Sequence, residues 1–275
     1  MERPPVSARL SPAQLDAYRR EGVLFPVPVL AAEEVARYRT AVDELEARLG
    51  GQPKPSDMSQ PQLHFRWAFE LATHPAVLDV VEDVLGPDIL VHSASIFSKP
   101  ARSSSYVSWH QDGAYWGLSE PGVTSAWIAL SESAPENGCL RVVPGSHTRR
   151  VLPFTETPGV ADNLLASGLE VAVEVDEADA RDVVLRPGEM SLHHVDIVHG
   201  SNPNRSAVKR VGFAVRYVAP HVSQSLQHHE VLLARGRDEH HHYRILATPP
   251  TAGLEEGLAA QNEFSRRWRE IRLGR

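Results

Sequence analysis

The chain has 275 residues, of which 42% are hydrophobic and 23% are charged, with a formal net charge of −7. This composition fits one large globular domain or two small ones, and the acidic balance excludes the basic footprint typical of nucleic-acid binding. With a single cysteine for which no intrachain disulfide is possible, and no stretch near the roughly 18 uninterrupted apolar residues of a membrane span, we expect a cytoplasmic protein without membrane contact.

The first third of the chain has helical patterns. Ser11 begins a first predicted helix and Gly22 ends it, because serine caps helix starts and glycine interrupts them. A second helix fits residues 31–49, which carry one apolar stripe at helical spacing. Residues 51–63 are rich in proline and glutamine and predict an exposed loop. A third helix is predicted from about His74 to Leu85.

After this helix the pattern changes to short β-like runs separated by turn residues. The candidate strands are Ile89–Lys99, Val123–Leu130, Cys139–Val143, Leu169–Val175, Glu189–Val195 and Val211–Val218. Several short strands with regular turns favour a sandwich or barrel. Cys139 is expected to be a small buried residue. We predict one domain over residues 1–275, with a helical N-terminal part (about 11–86), a β-core (about 89–220) and a C-terminal helical segment (about 254–271).

The segment Trp109-His110-Gln111-Asp112-Gly113 carries the strongest chemical signal. In extended backbone, residues i and i+2 point to the same face, so His110 and Asp112 can reach one metal ion. Two histidines and one carboxylate on one face leave coordination positions open for a cosubstrate and O₂. Zinc and hydrolytic chemistry fit the same ligand types, so ligand identity alone leaves the metal open.

The His-x-Asp pattern is weak by itself, since chance gives about 0.7 such matches in a chain of this composition. His194-Val195-Asp196 is indeed a second match. That match lies in the same short segment as His199, whereas His110 and Asp112 lie far upstream. A third ligand is expected from a later strand end, and His199 fits that place.

The run Arg210 to Tyr217 predicts a strand with two different faces. Arg210 and Arg216 share one face with small residues, and apolar residues occupy the other. An arginine on an inward face can grip a carboxylate through two parallel hydrogen bonds. The alternative is that both arginines are solvated and only the apolar face is buried.

Together these motifs resemble the phytanoyl-CoA dioxygenase family of iron(II)- and 2-oxoglutarate-dependent oxygenases, over roughly Ser11 to Pro220. The motifs that carry the resemblance are Ser98-Lys99-Pro100, Trp109 to Gly113, Glu136 to His147, His199-Gly200-Ser201 and the Arg210 strand. The resemblance implies a mainly β fold with flanking helices, built on a double-stranded β-helix (jelly-roll, cupin-like) core.

The resemblance also implies roles for individual residues. His110, Asp112 and His199 become the iron(II) ligands, with 2-oxoglutarate and O₂ as cosubstrates. Arg210 would bind the distal carboxylate of 2-oxoglutarate, which leaves Arg216 as a structural or substrate-facing residue. The further pocket residues it suggests are Trp116, Trp127 and Ser95.

The implied reaction is oxidative decarboxylation of 2-oxoglutarate to succinate and CO₂, with hydroxylation of a substrate carbon. Asp112 argues against halogenation, because halogenating relatives replace this carboxylate with a small residue that admits chloride. Desaturation, epoxidation and cyclisation stay open, because they depend on where the substrate radical is held.

The substrate class is not specified by these motifs. A natural product, an amino-acid derivative and an acyl compound such as a CoA thioester are all compatible, and the oligomeric state is open. Gly51–Phe65 and Ser146–Gly168 are candidate lids, because long loops in compact domains are usually functional or mobile. Two other classes remain: a cupin-type zinc or manganese hydrolase or isomerase, which needs no Arg210, and a non-catalytic β-barrel binding module.

Overall fold

A computed structural model of the chain describes residues 9–272, except 52, 54, 158, 166–168, 173, 226–229 and 251–252. The helices in this part are α1 (Pro12–Glu21), α2 (Ala32–Arg48), α3 (Arg66–Ala72), α4 (Pro75–Leu85) and α5 (Leu254–Arg272). The strands are β1 (Val23–Pro28), β2 (Ile89–Lys99), β3 (Val107–His110), β4 (Val123–Ala129), β5 (Leu140–Val142), β6 (Phe154–Glu156), β7 (Leu169–Val171), β8 (Arg181–Val183), β9 (Glu189–His194), β10 (His199–Ser201), β11 (Arg210–Val218) and β12 (Leu232–Arg235). None of these helices is both long and apolar enough to cross a membrane.

Two antiparallel sheets form the core. The major sheet has the strand order β1-β9-β4-β11-β2-β12, and the minor sheet has the order β3-β10-β5-β8. Strands β6 and β7 form a separate pair. Neighbouring strands come from distant parts of the chain, as in a jelly roll. The predicted fold class, a jelly-roll core with flanking helices, is confirmed.

The helix starts and the long strands follow the predictions closely. Ser11 and Gln14 form the capping box at the start of α1, and β2 has the predicted bounds. The first third is not helical throughout, because β1 follows α1 and pairs with β9 at the edge of the major sheet. Strand β1 contains two prolines, which cannot donate to a sheet ladder and which hide an edge strand from sequence analysis.

Strand β11 has the two faces that its alternation predicts. Val211, Phe213, Val215 and Tyr217 all belong to the main hydrophobic core with the helices. The Tyr217 hydroxyl donates to the carbonyl of Ala72 at the end of α3, which anchors that helix on the sheet. The opposite face turns Arg210 towards the minor sheet, and Arg210 is only 2% exposed. The alternative that both arginines are solvated is therefore wrong.

Gly212 gives the inner face of the major sheet room for an indole ring. A Cβ atom added at Gly212 would lie 1.9 Å from Trp127 Cζ2. Trp127 belongs to the hydrophobic cluster between the two sheets, together with Ala214 and Leu140. A glycine inside a strand is explained here by the close approach of a neighbouring side chain.

The Gly212→Ala substitution is expected to lower the free energy of unfolding by about 1–3 kcal/mol, because the new methyl group must displace the Trp127 ring. Urea unfolding measures this change. In a Trp127→Ala background the same substitution should have a much smaller effect, since its steric partner is gone. An equal penalty in both backgrounds would contradict the proposed clash.

Candidate metal centre

The three predicted metal ligands meet where β3 pairs with β10. In this antiparallel register His199 is the direct cross-strand partner of His110, and their ring centroids are 4.0 Å apart. Asp112 begins a short 3₁₀ turn two positions later. One donor atom from each of the three lies within 4.8 Å of the others, and all three residues are buried. Among the described residues, this is the one group of its kind.

Backbone carbonyls fix the tautomers of both imidazoles. His110 Nδ1 lies 2.9 Å from Ser108 O, and His199 Nδ1 lies 3.0 Å from Ile197 O. A carbonyl only accepts hydrogen bonds, so each Nδ1 carries the proton and each Nε2 has a free lone pair. Burial holds the pKa of His199 well below its usual value, which keeps that ring neutral. Neutral imidazoles oriented in this way are suited to bind a metal ion.

The two carboxylate oxygens of Asp112 have different surroundings. Oδ2 accepts from Ser125 Oγ at 3.3 Å and from Arg216 Nε at 3.4 Å. Oδ1 is buried without a hydrogen-bond partner. Burial by itself raises the pKa of this carboxyl, but its surroundings, with the charge of Arg216 the largest contribution, outweigh burial and hold the pKa well below its usual range. Asp112 is therefore ionised and has one free oxygen.

These atoms fit a divalent metal ion. Asp112 Oδ1 and His110 Nε2 are 3.5 Å apart, and both present lone pairs in a buried space. Such lone pairs repel one another unless a cation lies between them. Two nitrogens and one oxygen on one side of an ion are the donor set of non-haem iron(II) oxygenases, although zinc accepts the same atoms.

The segment around Asp112 is attached to the turn that precedes β10. The fully buried Gln111 donates through Nε2 to the carbonyl of Asp196 and accepts through Oε1 from Leu152 N at 2.7 Å. A Cβ atom at Gly113 would lie 2.4 Å from Asp196 Oδ1. Sequence analysis used Gln111 and Gly113 only as family marks, whereas the structure gives each a packing role.

The second His-x-Asp match, His194 and Asp196, is held by contacts within the fold rather than aimed at the candidate metal centre. His194 Nδ1 accepts from the backbone N of Asp196 at 3.1 Å, and its ring lies 4.9 Å from that of His147. Burial lowers the pKa of His194 to about 4. Neither His194 nor Asp196 contributes to the buried group of metal-ligand atoms.

Arg210 forms a second buried polar site between the sheets. Its Nε and Nη2 atoms are buried without hydrogen-bond partners, and its Cζ lies 5.2 Å from the centre of the Trp127 ring. No ion pair joins it to an acidic side chain within the described ranges. Burial lowers the pKa of Arg210 to about 10, which leaves it charged at neutral pH. A buried guanidinium with two free donors is suited to bind a carboxylate.

Lys99 is a second basic side chain at this site, and its sequence motif, Ser98-Lys99-Pro100, gave it no role beyond the family resemblance. It lies opposite Arg210 in the pairing of β2 with β11. Its Nζ donates to Ser201 Oγ at 2.6 Å and to Asn202 O at 2.5 Å. Burial, and then the charge of Arg210, lower the pKa of Lys99 to about 6. Because the Ser201 hydroxyl accepts from Lys99, its own proton is directed to another acceptor.

The three further pocket residues predicted from the resemblance separate into two places. Ser95 and Trp127 lie on the inward face of the major sheet, where both are register partners of Ala214. Trp116 instead stacks on His92, with ring centroids 4.6 Å apart, in a different hydrophobic cluster. The structure therefore places Trp127 beside Arg210 and Ser95 beside Arg216 on the same inward face, with Trp116 apart from both.

Both candidate lids are bonded to strands near the site. In Ser146–Gly168, Asn163 donates to a serine hydroxyl of β3 at 3.0 Å. In Gly51–Phe65, the backbone N of Gln60 donates to the carbonyl of Ala94 in β2 at 2.8 Å. Residues 52, 54, 158 and 166–168 of these two regions lie outside the described residues.

Cys139 precedes β5 in the minor sheet. It is buried, with 1% of its surface exposed, and the prediction of a small buried residue is confirmed. Burial, and then the charge of Asp182, raise the pKa of its thiol to about 12.

Sequence comparisons connect this site with known oxygenases. The model of the family described as "Phytanoyl-CoA dioxygenase (PhyH)" matches residues 18–212. The chain is 28% identical over 209 residues to a probable alpha-ketoglutarate-dependent hypophosphite dioxygenase of Stutzerimonas stutzeri, covering 69% of this chain and 72% of that protein. It is also 28% identical over 240 residues to an ectoine dioxygenase of Sphingopyxis alaskensis, covering 78% of this chain and 76% of that protein.

Solved structures show the same architecture. The apo form of the non-heme monooxygenase ThoJ aligns with a TM-score of 0.80 and 30% identity, covering 94% of this chain and 98% of that one. CytC3 with Fe(II) and alpha-ketoglutarate aligns with a TM-score of 0.62 and 21% identity, covering 88% of this chain and 94% of that one. The second match supports the fold alone.

The Asp112→Ala substitution is expected to abolish tight iron(II) binding, because it removes the one anionic ligand of the buried group. The matched control is Asp196→Ala, which alters the second His-x-Asp match and should retain the metal. Anaerobic iron(II) titration of both variants measures the difference. Equal iron affinity in the two variants would show that Asp112 is not a ligand.

His194 is expected to make stability depend on pH. Its pKa is near 6.5 in an unfolded chain and about 4 in the fold, so the unfolded chain binds the proton first as the pH falls. The free energy of unfolding should therefore fall between pH 6.5 and 4, by up to about 1.4 kcal/mol per pH unit for this group. His194→Asn keeps an acceptor for the Asp196 amide and should reduce that slope.

Urea unfolding across this pH range measures the slope. The exposed residue His240 provides the control, since His240→Asn should leave the slope unchanged. If His194→Asn also leaves it unchanged, His194 is not the titrating group.

Proposed function

The chain belongs to the phytanoyl-CoA dioxygenase family, and on this premise we propose that His110, Asp112 and His199 hold its iron(II) while Arg210 binds the distal carboxylate of 2-oxoglutarate. The protein is an iron(II)- and 2-oxoglutarate-dependent oxygenase that acts on a small molecule. With these groups and O₂ bound, the site supplies the oxidant for a substrate C–H bond and releases succinate and CO₂. The observation that supports the assignment most is the buried Arg210 guanidinium with two unpartnered nitrogens.

Arg210 recognises a dicarboxylic cosubstrate in this proposal. Its free Nε and Nη2 atoms can donate two parallel hydrogen bonds to one carboxylate, and burial strengthens that attraction. The Ser201 hydroxyl, which accepts from Lys99, can donate a third. The indole of Trp127 beside the guanidinium excludes water from the bound carboxylate.

Asp112 supports hydroxylation as the outcome of the reaction. Ser125 and Arg216 occupy Oδ2 of its carboxylate, so only Oδ1 is free for the metal. With iron(II) bound, this carboxylate would be the ligand that halogenating relatives replace to admit a halide. We therefore propose transfer of a hydroxyl group to an unactivated substrate carbon, with desaturation, cyclisation and epoxidation as the other outcomes of hydrogen removal.

Two other functions make different demands on the same residues. A cupin-type hydrolase or isomerase would use the metal ligands with zinc or manganese, but it gives no role to a buried, unpaired arginine. A binding module without catalysis would need neither O₂ nor 2-oxoglutarate. The unpartnered donors of Arg210 therefore favour the oxygenase.

Succinate formation tests the proposed function directly. The protein, loaded with iron(II), is expected to convert 2-oxoglutarate slowly to succinate in air, and faster when a member of a metabolite panel is its substrate. Turnover should stop under anaerobic conditions and in the Asp112→Ala variant. Hydrolysis or isomerisation of a panel member with zinc, without succinate, would support the competing class instead.

Arg210→Met is expected to raise the KM for 2-oxoglutarate by about 30-fold or more, because the distal carboxylate loses a buried charged partner. The control cosubstrate is 2-oxopentanoate, which has the same reactive end without a distal carboxylate. Its KM should change by less than about threefold on the same substitution, since it never uses that charge. If both KM values rise equally, Arg210 acts through the fold rather than through the cosubstrate.

A further inference from the structure

Arg216 is the one residue of β11 that is not buried. It lies on the inward face of the strand, which has β2 on one side and β4 on the other. The outward face of β11 is covered by the main hydrophobic core. The 11% of the Arg216 side chain that is exposed therefore faces the space between the two sheets, beside the metal ligands.

Two of the three nitrogens of the Arg216 guanidinium have partners. Nε donates to Asp112 Oδ2 at 3.4 Å, and Nη1 donates to Ser95 Oγ at 3.2 Å. The Cζ atom lies 5.8 Å from the centre of the Phe97 ring. These contacts fix the plane of the guanidinium. Within the described part of the chain, Nη2 has no hydrogen-bond partner.

The inward face of β2 next to Arg216 is also accessible from the space between the two sheets. Ser93, which is the register partner of Arg216, and the next two inward residues, Ser95 and Phe97, are all partly exposed. The neighbouring strand β4 is buried throughout. The accessible space therefore has a wall of two hydroxyls, one phenyl ring and one guanidinium.

The charges of the loaded site leave Arg216 without a complete counter-charge. Iron(II), the Asp112 carboxylate, dianionic 2-oxoglutarate and the Arg210 guanidinium together sum to zero. Arg216 then adds one positive charge that the bound groups do not neutralise. In a space of low dielectric constant, an unbalanced charge is unfavourable and a bound monoanion removes the imbalance.

We propose that Arg216 is a substrate-binding residue and that the substrate presents an oxyanion, a carboxylate or a phosphorus oxyanion, to its free Nη2. This inference rests on the proposed function and adds the substrate class. Arg216 touches Asp112 through Nε, so an oxyanion bound at Nη2 holds the adjacent carbon or phosphorus skeleton close to the metal. The partly exposed Phe97 ring then contacts the uncharged part of a small acid.

The test uses the full protein, held without oxygen and saturated with iron(II) and 2-oxoglutarate. The chelate of iron(II) with a 2-oxo acid absorbs visible light, and this band reports on ligands bound nearby. Sodium acetate and sodium dimethylphosphinate are the two oxyanion probes, and acetamide is the neutral probe. Sodium chloride keeps the ionic strength constant. The oxyanions should shift the band saturably, and acetamide should not. The oxyanion that binds more tightly identifies whether the substrate group is a carboxylate or a phosphorus oxyanion.

Arg216→Gln is expected to weaken the affinity for the effective oxyanion by about tenfold or more, because a charged hydrogen-bond donor is lost. Arg216→Lys keeps the charge and should retain most of that affinity, which separates charge from folding. Arg141→Gln, at an arginine of the minor sheet that pairs with Glu177 and Asp182, is the matched control and should behave as the wild type.

Several results would overturn the proposal. One is a wild-type band that neither oxyanion shifts, and another is an Arg216→Gln variant with undiminished oxyanion affinity. Loss of iron(II) or 2-oxoglutarate affinity by the same factor would assign Arg216 to the metal and cosubstrate instead. If the wild-type protein forms neither the band nor succinate, the proposed function itself is contradicted. The inferred substrate class, which rests on that function, is then withdrawn as well.

Discussion

The pairing of β3 with β10 is the constraint on which the candidate metal centre depends. It makes His110 and His199 direct cross-strand partners, although they are far apart in sequence. Cross-strand neighbours on one face of an antiparallel pair are separated by only about 5 Å. The bond from Gln111 to the carbonyl of Asp196 holds the same two segments together one residue further on. A shift of this register by one residue would turn one imidazole away from the other.

The interior holds more positive charge than its own acidic residues balance. Arg210 has no acidic partner in the described ranges, and the one carboxylate that pairs with Arg216 there is Asp112. Burying a charge without a partner is costly, so a fold retains such groups where a ligand completes them. Packing therefore supplies the stability of this protein, and the polar interior is left for its ligands.

Sequence analysis succeeds where a pattern is local. The alternation along β2 and β11 predicts both the strands and the inward face that carries Arg210, because period-two alternation needs no knowledge of partners. It fails for β1, where two prolines hide an edge strand, and for β3 and β10, which are short and depend on pairing with distant strands. The meeting of Lys99 with Ser201 likewise follows from the three-dimensional arrangement of strands, which single-sequence patterns do not contain. The placement of Trp116 depends on the 3₁₀ turn after Asp112, which redirects the chain.

The burial of Cys139 has a consequence for the working life of an enzyme that activates oxygen. Oxidants damage cysteine mainly through its thiolate. Because burial raises the pKa of the Cys139 thiol to about 12, the side chain is almost entirely in the thiol form at neutral pH. The single thiol of the chain is thus a poor target for the oxidants that such an enzyme can release. Oxidative damage from turnover without substrate is therefore expected at side chains other than this thiol.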